Sequence, residues 1–194
     1  MAIAAAVVLL GATAAVALPR LTDNDDSWTS GGPVRVPFKH GYVVRYGVGD
    51  VFSDGMERIK LVGNQPGVLS RVEITGPSAD HFQVVGVLLA GPHRRIGSWQ
   101  VAPGFPPQIP GQGKHPLGTL VPAQGAPLAT GDVGSVLEIG LKVVKPGLGI
   151  RTGVRLFYTV NGKRYTVELP ASIANCPTGM TVEQCQDAYL KAAG

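Results

Sequence analysis

The sequence lacks the local motifs by which common enzymes are recognised. It contains no Gly-x-Ser-x-Gly elbow, no His-Glu-x-x-His pair and no phosphate loop, since Gly162-Lys163 lacks the earlier Gly and the following Ser or Thr. The histidines stand singly in different predicted elements: His40, His81, His93 and His115. With only three Met residues besides, no zinc or copper cluster is indicated. We therefore expect a protein that is not an enzyme and that holds no metal and no cofactor.

Charge is scarce as well. Only 15% of the residues are charged, and 17 Lys and Arg stand against 13 Asp and Glu. The basic residues are scattered singly, apart from residues 93–95 and 163–164. Because a nucleic-acid-binding protein gathers its positive charge into a patch, we expect no nucleic-acid partner.

Cysteine is nearly absent, and its two copies lie close together. Cys176 and Cys185 have no His nearby, whereas a metal site needs more ligands and a redox pair has Cys-x-x-Cys spacing. The pair therefore predicts a disulfide, worth about 2 to 3 kcal/mol for so short a loop. Thr181 and Gln184 have the spacing of a capping box, which predicts a short helix over residues 182–193.

One long apolar run opens the chain. Residues 2–18 carry no charge and would span roughly 25 Å as a helix, slightly less than the hydrocarbon core of a bilayer. Ala15-Val16-Ala17 has the small-x-small form that signal peptidase accepts. Three interpretations stay open: an uncleaved membrane anchor, a secretory signal cleaved near Ala17, and a buried helix of a soluble protein. The first two place the remaining residues outside the cytoplasm.

Both export interpretations ordinarily require Lys or Arg before the apolar run, and this chain has none there. We therefore expect the true start to lie upstream of Met1 or the quoted start to be wrongly assigned. The domain organisation that follows is an anchor or signal peptide over residues 1–20 and a polar, Gly- and Pro-containing linker over residues 21–37. A β-sandwich domain over residues 38–175 and a disulfide-linked C-terminal helix over residues 176–194 complete it.

The most specific structural pattern is VRLFYTVNGKRYTVELP. Asn161-Gly162 is a preferred type I′ turn pair, so the two-residue loop fixes the register of a β-hairpin. The predicted pairs are Val160 with Lys163, Thr159 with Arg164, Tyr158 with Tyr165, Leu156 with Val167, Arg155 with Glu168 and Val154 with Leu169.

Further strands follow from alternation of apolar and polar residues. The pattern predicts a half-buried strand in SVLEIGLKVV, another in VLSRVEIT and an almost continuously apolar strand over residues 82–89. Residues 58–62 and 68–75, joined by a Gly- and Pro-containing turn, predict a second hairpin. About seven strands with turns between them favour an all-β, two-sheet antiparallel sandwich.

Residues 117–170 show a Leu-x-Pro segment, a Gly-containing turn, an alternating strand, a Pro-Gly connection and a closing hairpin. In that order they resemble the second half of bacterial extracytoplasmic immunoglobulin-like domains. The resemblance implies an immunoglobulin-like fold and no particular activity. The Cys and Trp spacing of antibody domains is absent.

One connection is longer than strands usually require. Residues 97–134 are dense in Pro and Gly and carry Trp99 and Phe105. We interpret the two aromatic residues as candidate partner-binding anchors, against the alternative that their rings fold back onto the sandwich.

Together these patterns predict a non-enzymatic, membrane-tethered interaction module outside the cytoplasm. We expect it to be an accessory or assembly subunit with protein partners, including an integral membrane complex, and with membrane contact through its N-terminal segment. The alternative function is a secreted ligand or metal carrier, or an enzyme, that uses dispersed residues.

Overall fold

The computed structural model describes residues 28–90, 101–107, 120–131 and 134–193. The predicted N-terminal hydrophobic helix and Trp99 lie outside the described residues. Within them, no helix has the length and apolar character needed to cross a membrane.

The described chain is mostly β-structure and ends in one helix, so the predicted all-β class is confirmed. Its strands are β1 (Thr29–Ser30), β2 (Val34–Arg35), β3 (His40–Val44), β4 (Val51–Leu61), β5 (Gly67–Thr75), β6 (Phe82–Ala90), β7 (Val101–Pro103), β8 (Leu120–Pro122), β9 (Pro127–Leu128), β10 (Ser135–Val143), β11 (Gly149–Arg151), β12 (Gly153–Val160), β13 (Lys163–Leu169) and β14 (Ala171–Asn175). The helix is α1 (Val182–Ala193), and a 3₁₀ turn covers Ala79–His81.

The strands form three sheets in the described residues. A five-stranded sheet has the order β1-β13-β12-β5-β9, and a larger sheet has the order β2-β4-β10-β6-β8 with β7 also paired to β4. A three-stranded sheet, β11-β14-β3, is the third. Pairing is antiparallel except between β1 and β13 and between β14 and β3.

The predicted hairpin forms as β12 and β13, in the predicted register. All six predicted pairs are present, from Val160 opposite Lys163 to Val154 opposite Leu169. Asn161 and Gly162 have φ values of 51° and 74°, the left-handed conformations that a type I′ turn requires.

The second predicted hairpin is wrong. Residues 58–61 belong to β4, which pairs with β10, whereas residues 67–75 form β5, which pairs with β12 in another sheet. The turn between them crosses from one sheet to the other. Buried Leu61 and Leu69, at the two ends of this crossing, belong to the same core cluster.

The core is one cluster to which both larger sheets contribute. Its members on β4 and β10 include Phe52, Ile59, Leu61, Leu137, Ile139 and Leu141, and those on β5, β12 and β13 include Leu69, Val154, Leu156, Tyr158, Val167 and Leu169. The alternating residues predicted on β10 are all buried, but Glu138 and Gly140 between them are buried too, and Lys142 is half-buried. The strand predicted as half-buried is therefore central and covered on both faces.

The C-terminal predictions are confirmed. Cys176, just after β14, is disulfide-bonded to Cys185 on α1, with the two Cα atoms 5.9 Å apart. The Gln184 N–H donates to Thr181 Oγ1 at 3.2 Å, and the Thr181 N–H donates to Gln184 Oε1 at 2.9 Å. This reciprocal capping box and the disulfide together fix α1 against the three-stranded sheet.

Part of the predicted linker is inside the fold. Of residues 21–37, the structure describes residues 28–37, in which β1 pairs with β13 and β2 pairs with β4. Tyr158 lies between the two short strands: its hydroxyl donates to Gly31 O at 2.7 Å and accepts from the Val34 N–H at 3.3 Å. The chain thus passes from one larger sheet to the other within a few residues.

Candidate functional site: an exposed basic and apolar surface and a buried charged cluster

A bulge in β4 turns two acidic side chains into the interior. Leu137 pairs with Glu57 and Ile139 with Asp54, so two residues of β4 oppose one residue of β10. In a regular strand, residues three apart face opposite sides, but the extra residue restores Asp54 and Glu57 to the same side. Both side chains are completely buried.

Gly55 lies within this bulge. A Cβ atom at position 55 would lie 2.6 Å from a carboxylate oxygen of buried Glu138, closer than any normal contact. The sequence therefore places the one residue without a side chain where two strands and a carboxylate crowd together.

Arg151 joins the two acids. Arg151, on β11, has Nη1 2.7 Å from Asp54 Oδ2 and Nη2 2.9 Å from Glu57 Oε1. The Tyr42 hydroxyl, on β3, donates to Asp54 Oδ1. We call Tyr42, Asp54, Glu57 and Arg151 the charged cluster. Because β3 and β11 belong to the three-stranded sheet, the cluster fastens that sheet to β4.

Burial sets the protonation of the charged cluster. Burial, and then the Asp54 carboxylate, raise the pKa of Glu57 to about 8. Burial opposes the charge of Arg151, but Asp54 and Glu57 outweigh that effect and raise its pKa. Burial and the Asp54 charge also raise the pKa of Tyr42. At neutral pH the cluster therefore holds Arg151 as a cation and Glu57 mostly as a neutral acid.

A second buried polar contact lies beside the disulfide. Asn175 Nδ2 lies 3.2 Å from His81 Nε2, and the same amide bonds the backbone N–H and C=O of Tyr46. Burial lowers the pKa of His81, so its ring is neutral near pH 7. His81 lies at the end of the 3₁₀ turn and is buried beneath Gly149. In the described residues, no group of three His, Cys, Asp or Glu side chains could hold a metal ion.

The outer surface carries an exposed aromatic ring among basic side chains. Phe38 is 98% exposed, and Val36 is 49% exposed. They border a groove of about 510 Å³ whose other lining residues are Arg35, Pro37, Arg58 and Lys60. We call these six residues the Phe38 surface.

The bulge also explains the basic side of the Phe38 surface. Glu57, Ile59 and Leu61 face the core, so the alternate residues Arg58 and Lys60 face outward. Arg35 lies opposite Lys60 in the pairing of β2 with β4. In the described part of the chain, no carboxylate forms an ion pair with Arg35, Arg58 or Lys60. Among the described residues, the surface is thus positive and is not neutralised by an ion pair.

The structure describes only one of the two residues predicted to bind a partner. Trp99 lies outside the described residues. Phe105 is half-buried, and its ring covers Gly86 and Gly140, which pair with each other on β6 and β10. A Cβ at either glycine would lie 2.5 Å from a ring atom. Phe105 thus folds back onto the sheet and leaves part of its surface exposed.

Sequence reasoning missed Phe38 and the charged cluster. In sequence, the run Arg35-Val36-Pro37-Phe38 resembles any Pro-containing connection. That it forms one surface with Arg58 and Lys60 depends on the pairing of β2 with β4. Asp54 and Glu57 have a spacing that predicts opposite faces, and Gly55 was the one signal of a bulge. A comparison of the chain with protein-family models finds no matching family, and a comparison with curated proteins finds no similar sequence.

Proposed function

We propose that this chain is a non-enzymatic interaction module that works outside the cytoplasm, tethered to the membrane through its N-terminal segment. The observation that carries the proposal is the Phe38 surface. A fully exposed Phe leaves its apolar area in water, and contact with a partner removes that cost. The surrounding cations select a partner that carries negative charge.

The extracytoplasmic location draws support from the disulfide. Cys176 and Cys185 are bonded, and bonds of this kind persist in oxidising compartments and are rare in the cytosol. The apolar run over residues 2–18 supports the tether, with secretion after cleavage near Ala17 as the alternative.

The charged cluster supports a role without catalysis. Its ionisable side chains have strongly shifted pKa values, but they bind one another inside the protein and are closed to substrates. Shifts of this kind arise in structural ion-pair networks as well as in active sites. The finer assignment, an immunoglobulin-like sandwich acting as an accessory or assembly subunit, belongs to the same proposal. The shared core of the two larger sheets supports it.

Trp99 and Phe105 stay proposed contacts for a protein partner. Only the exposed part of Phe105 is open to such a contact, because its ring also covers two glycines. Trp99 would therefore have to supply most of the binding energy.

A reporter that is active only outside the cytoplasm, fused after Gly194, tests the location. We expect an active reporter, and the intact mass of the purified chain then distinguishes a tether from a cleaved signal. Abundant protein with a silent reporter would refute the proposed location.

Affinity purification from detergent-solubilised membranes tests the proposed protein contacts. Trp99→Ala should reduce recovery of a specific partner while leaving the melting temperature unchanged. Unchanged recovery of every co-purifying protein would remove the docking role of Trp99.

A further inference from the structure

We propose that the Phe38 surface docks on an anionic phospholipid bilayer, with the ring of Phe38 inserted at the level of the headgroups. This inference rests on the proposed function, because the N-terminal tether supplies the bilayer. It adds the chemistry of the contact and the side of the domain that faces the lipid.

The charge of the surface favours an anionic occupant. Arg35, Arg58 and Lys60 have no ion-pair partner among the described residues. Each Lys or Arg held near an anionic membrane strengthens the contact by about fivefold. Three such residues together would shift the docking equilibrium by about 100-fold.

The size of the apolar area favours lipid over protein. Only Phe38 and Val36 are large, exposed and apolar here, and an aromatic side chain buries about 150–250 Å². A stable protein interface buries about 800 Å² on each partner. The apolar area of one Phe ring and one Val is too small for a stable protein interface. It suffices for insertion into the membrane interface by a domain that a tether already holds there.

The Phe38 surface follows the predicted tether closely along the chain. Thr29 pairs with Tyr165, while Val34 pairs with Leu61, and the Tyr158 hydroxyl bonds both Gly31 and Val34. Residues 28–35 therefore run from an edge of the five-stranded sheet to an edge of the other larger sheet. Trp28 precedes Arg35, the first cation of the surface, by seven residues.

A label beside Phe38 tests the proposal on the full-length chain. Both native cysteines are in the disulfide, so Val36→Cys introduces a single free thiol for a polarity-sensitive fluorophore and keeps Phe38 intact. The labelled chain is reconstituted in vesicles of phosphatidylcholine alone or in equal parts with phosphatidylglycerol. We expect a shift to shorter wavelength, and quenching by brominated acyl chains, only in the anionic vesicles.

Added salt and two variants test which interactions hold the Phe38 surface on the membrane. Raising ionic strength from about 0.1 M to about 1 M shortens the Debye length from about 10 Å to about 3 Å and should reverse the shift. Adding Phe38→Ser to the labelled chain should abolish the shift, and adding Arg58→Gln should weaken docking about fivefold. Both positions are exposed, so unchanged melting temperatures should accompany these losses.

Val121→Cys provides the matched control. Val121 is 36% exposed on β8, at the opposite edge of the same sheet from β2 and about 19 Å across four strand spacings. Its label should report water in both kinds of vesicle.

Equal shifts at positions 36 and 121, or no shift at position 36 in anionic vesicles, would overturn the proposal. So would loss of a bound protein in Phe38→Ser without any response to lipid, because that result assigns the surface to a protein partner. None of these measurements depends on export, so a silent reporter would refute the proposed location without deciding lipid binding.

Discussion

At the scale of single residues, the stability of the protein depends on the buried positive charge of Arg151, which few side chains could replace. Arg151 is completely buried and contacts two carboxylates from β4. Removing one partner of such a group leaves an uncompensated charge, which costs more than the intact pair contributes. The contact of Arg151 with Glu57 should therefore matter less at pH 7 than a full ion pair would, because the raised pKa of Glu57 leaves that acid mostly neutral.

Arg151→Met should lower the free energy of unfolding by about 3 to 5 kcal/mol, since it removes the buried cation that contacts the Asp54 carboxyl group. Glu57→Gln is the matched control: it keeps the size of a neutral acid and should cost about 1 kcal/mol. Urea unfolding at pH 7 measures both. Equal losses in the two variants would contradict the protonation assigned to Glu57.

Glu57 also predicts a dependence of stability on pH. Its pKa rises from 4.5, the value expected for the unfolded chain, to about 8 in the fold. Between these values the folded protein binds a proton that the unfolded chain has lost, so stability falls as pH rises. The contribution of Glu57 is complete below about pH 4.5 and is lost as pH passes through about 8.

Unfolding midpoints measured from pH 5 to pH 9 test this dependence. Compared with Glu57→Gln, the native protein should lose stability progressively toward pH 8 and then level off. Tyr42, Asp54 and Arg151 face Glu57 in the cluster and are unchanged in that control, so the difference isolates Glu57. Parallel curves for the two proteins would exclude Glu57 as the titrating group.

At the scale of elements, Phe105 and two glycines form a single packing unit. The ring fills the space that side chains at positions 86 and 140 would occupy on adjacent strands. Aromatic rings that cover glycines restore the burial that the missing side chains cannot provide. The Pro- and Gly-rich connection thus closes one face of the larger sheet at Phe105.

Phe105→Ala should cost about 2 kcal/mol, roughly half the loss of a fully buried Phe, because the ring is half-buried. Gly140→Ala should also destabilise, since its methyl group meets the ring. The double variant should be more stable than the sum of the two losses implies, because the new methyl group enters the space that the ring vacates. Strict additivity in thermal unfolding would show that the ring and Gly140 are not in contact.

At the scale of the whole molecule, a single hydroxyl links the two larger sheets near the N-terminal connection. Tyr158 is completely buried on β12, yet its hydroxyl reaches Gly31 and Val34 on the segment that leads to β2. The segment from residue 28 to residue 35 has only short strands of its own. The hydroxyl therefore contributes to the attachment of this segment in addition to strand pairing.

Tyr158→Phe should cost about 1 to 2 kcal/mol, because a buried acceptor and donor lose their partner. Residues 29–35 should exchange their amide hydrogens faster, while β12 keeps its protection. Tyr165→Phe is the control, since its ring stacks on Tyr158 and lies in the same sheet. Equal effects of the two substitutions on residues 29–35 would rule out the hydroxyl as the attachment.

The sequence by itself determined the features that depend on neighbours along the chain. The Asn161-Gly162 turn set the register of β12 and β13, and the Thr181 capping box set the start of α1. Each of these rests on local backbone geometry and on contacts only a few residues apart, so the pattern of residue types was sufficient.

Only the tertiary structure decided which strands pair across the core and which side chains meet. Arg151 and Glu57 are 94 residues apart, and their contact needs both the bulge at Gly55 and the docking of β11 beside β4. The same bulge turns Arg58 and Lys60 outward to the Phe38 surface. Alternation along a strand predicts faces only while its register is unbroken, and one extra residue reverses every face that follows.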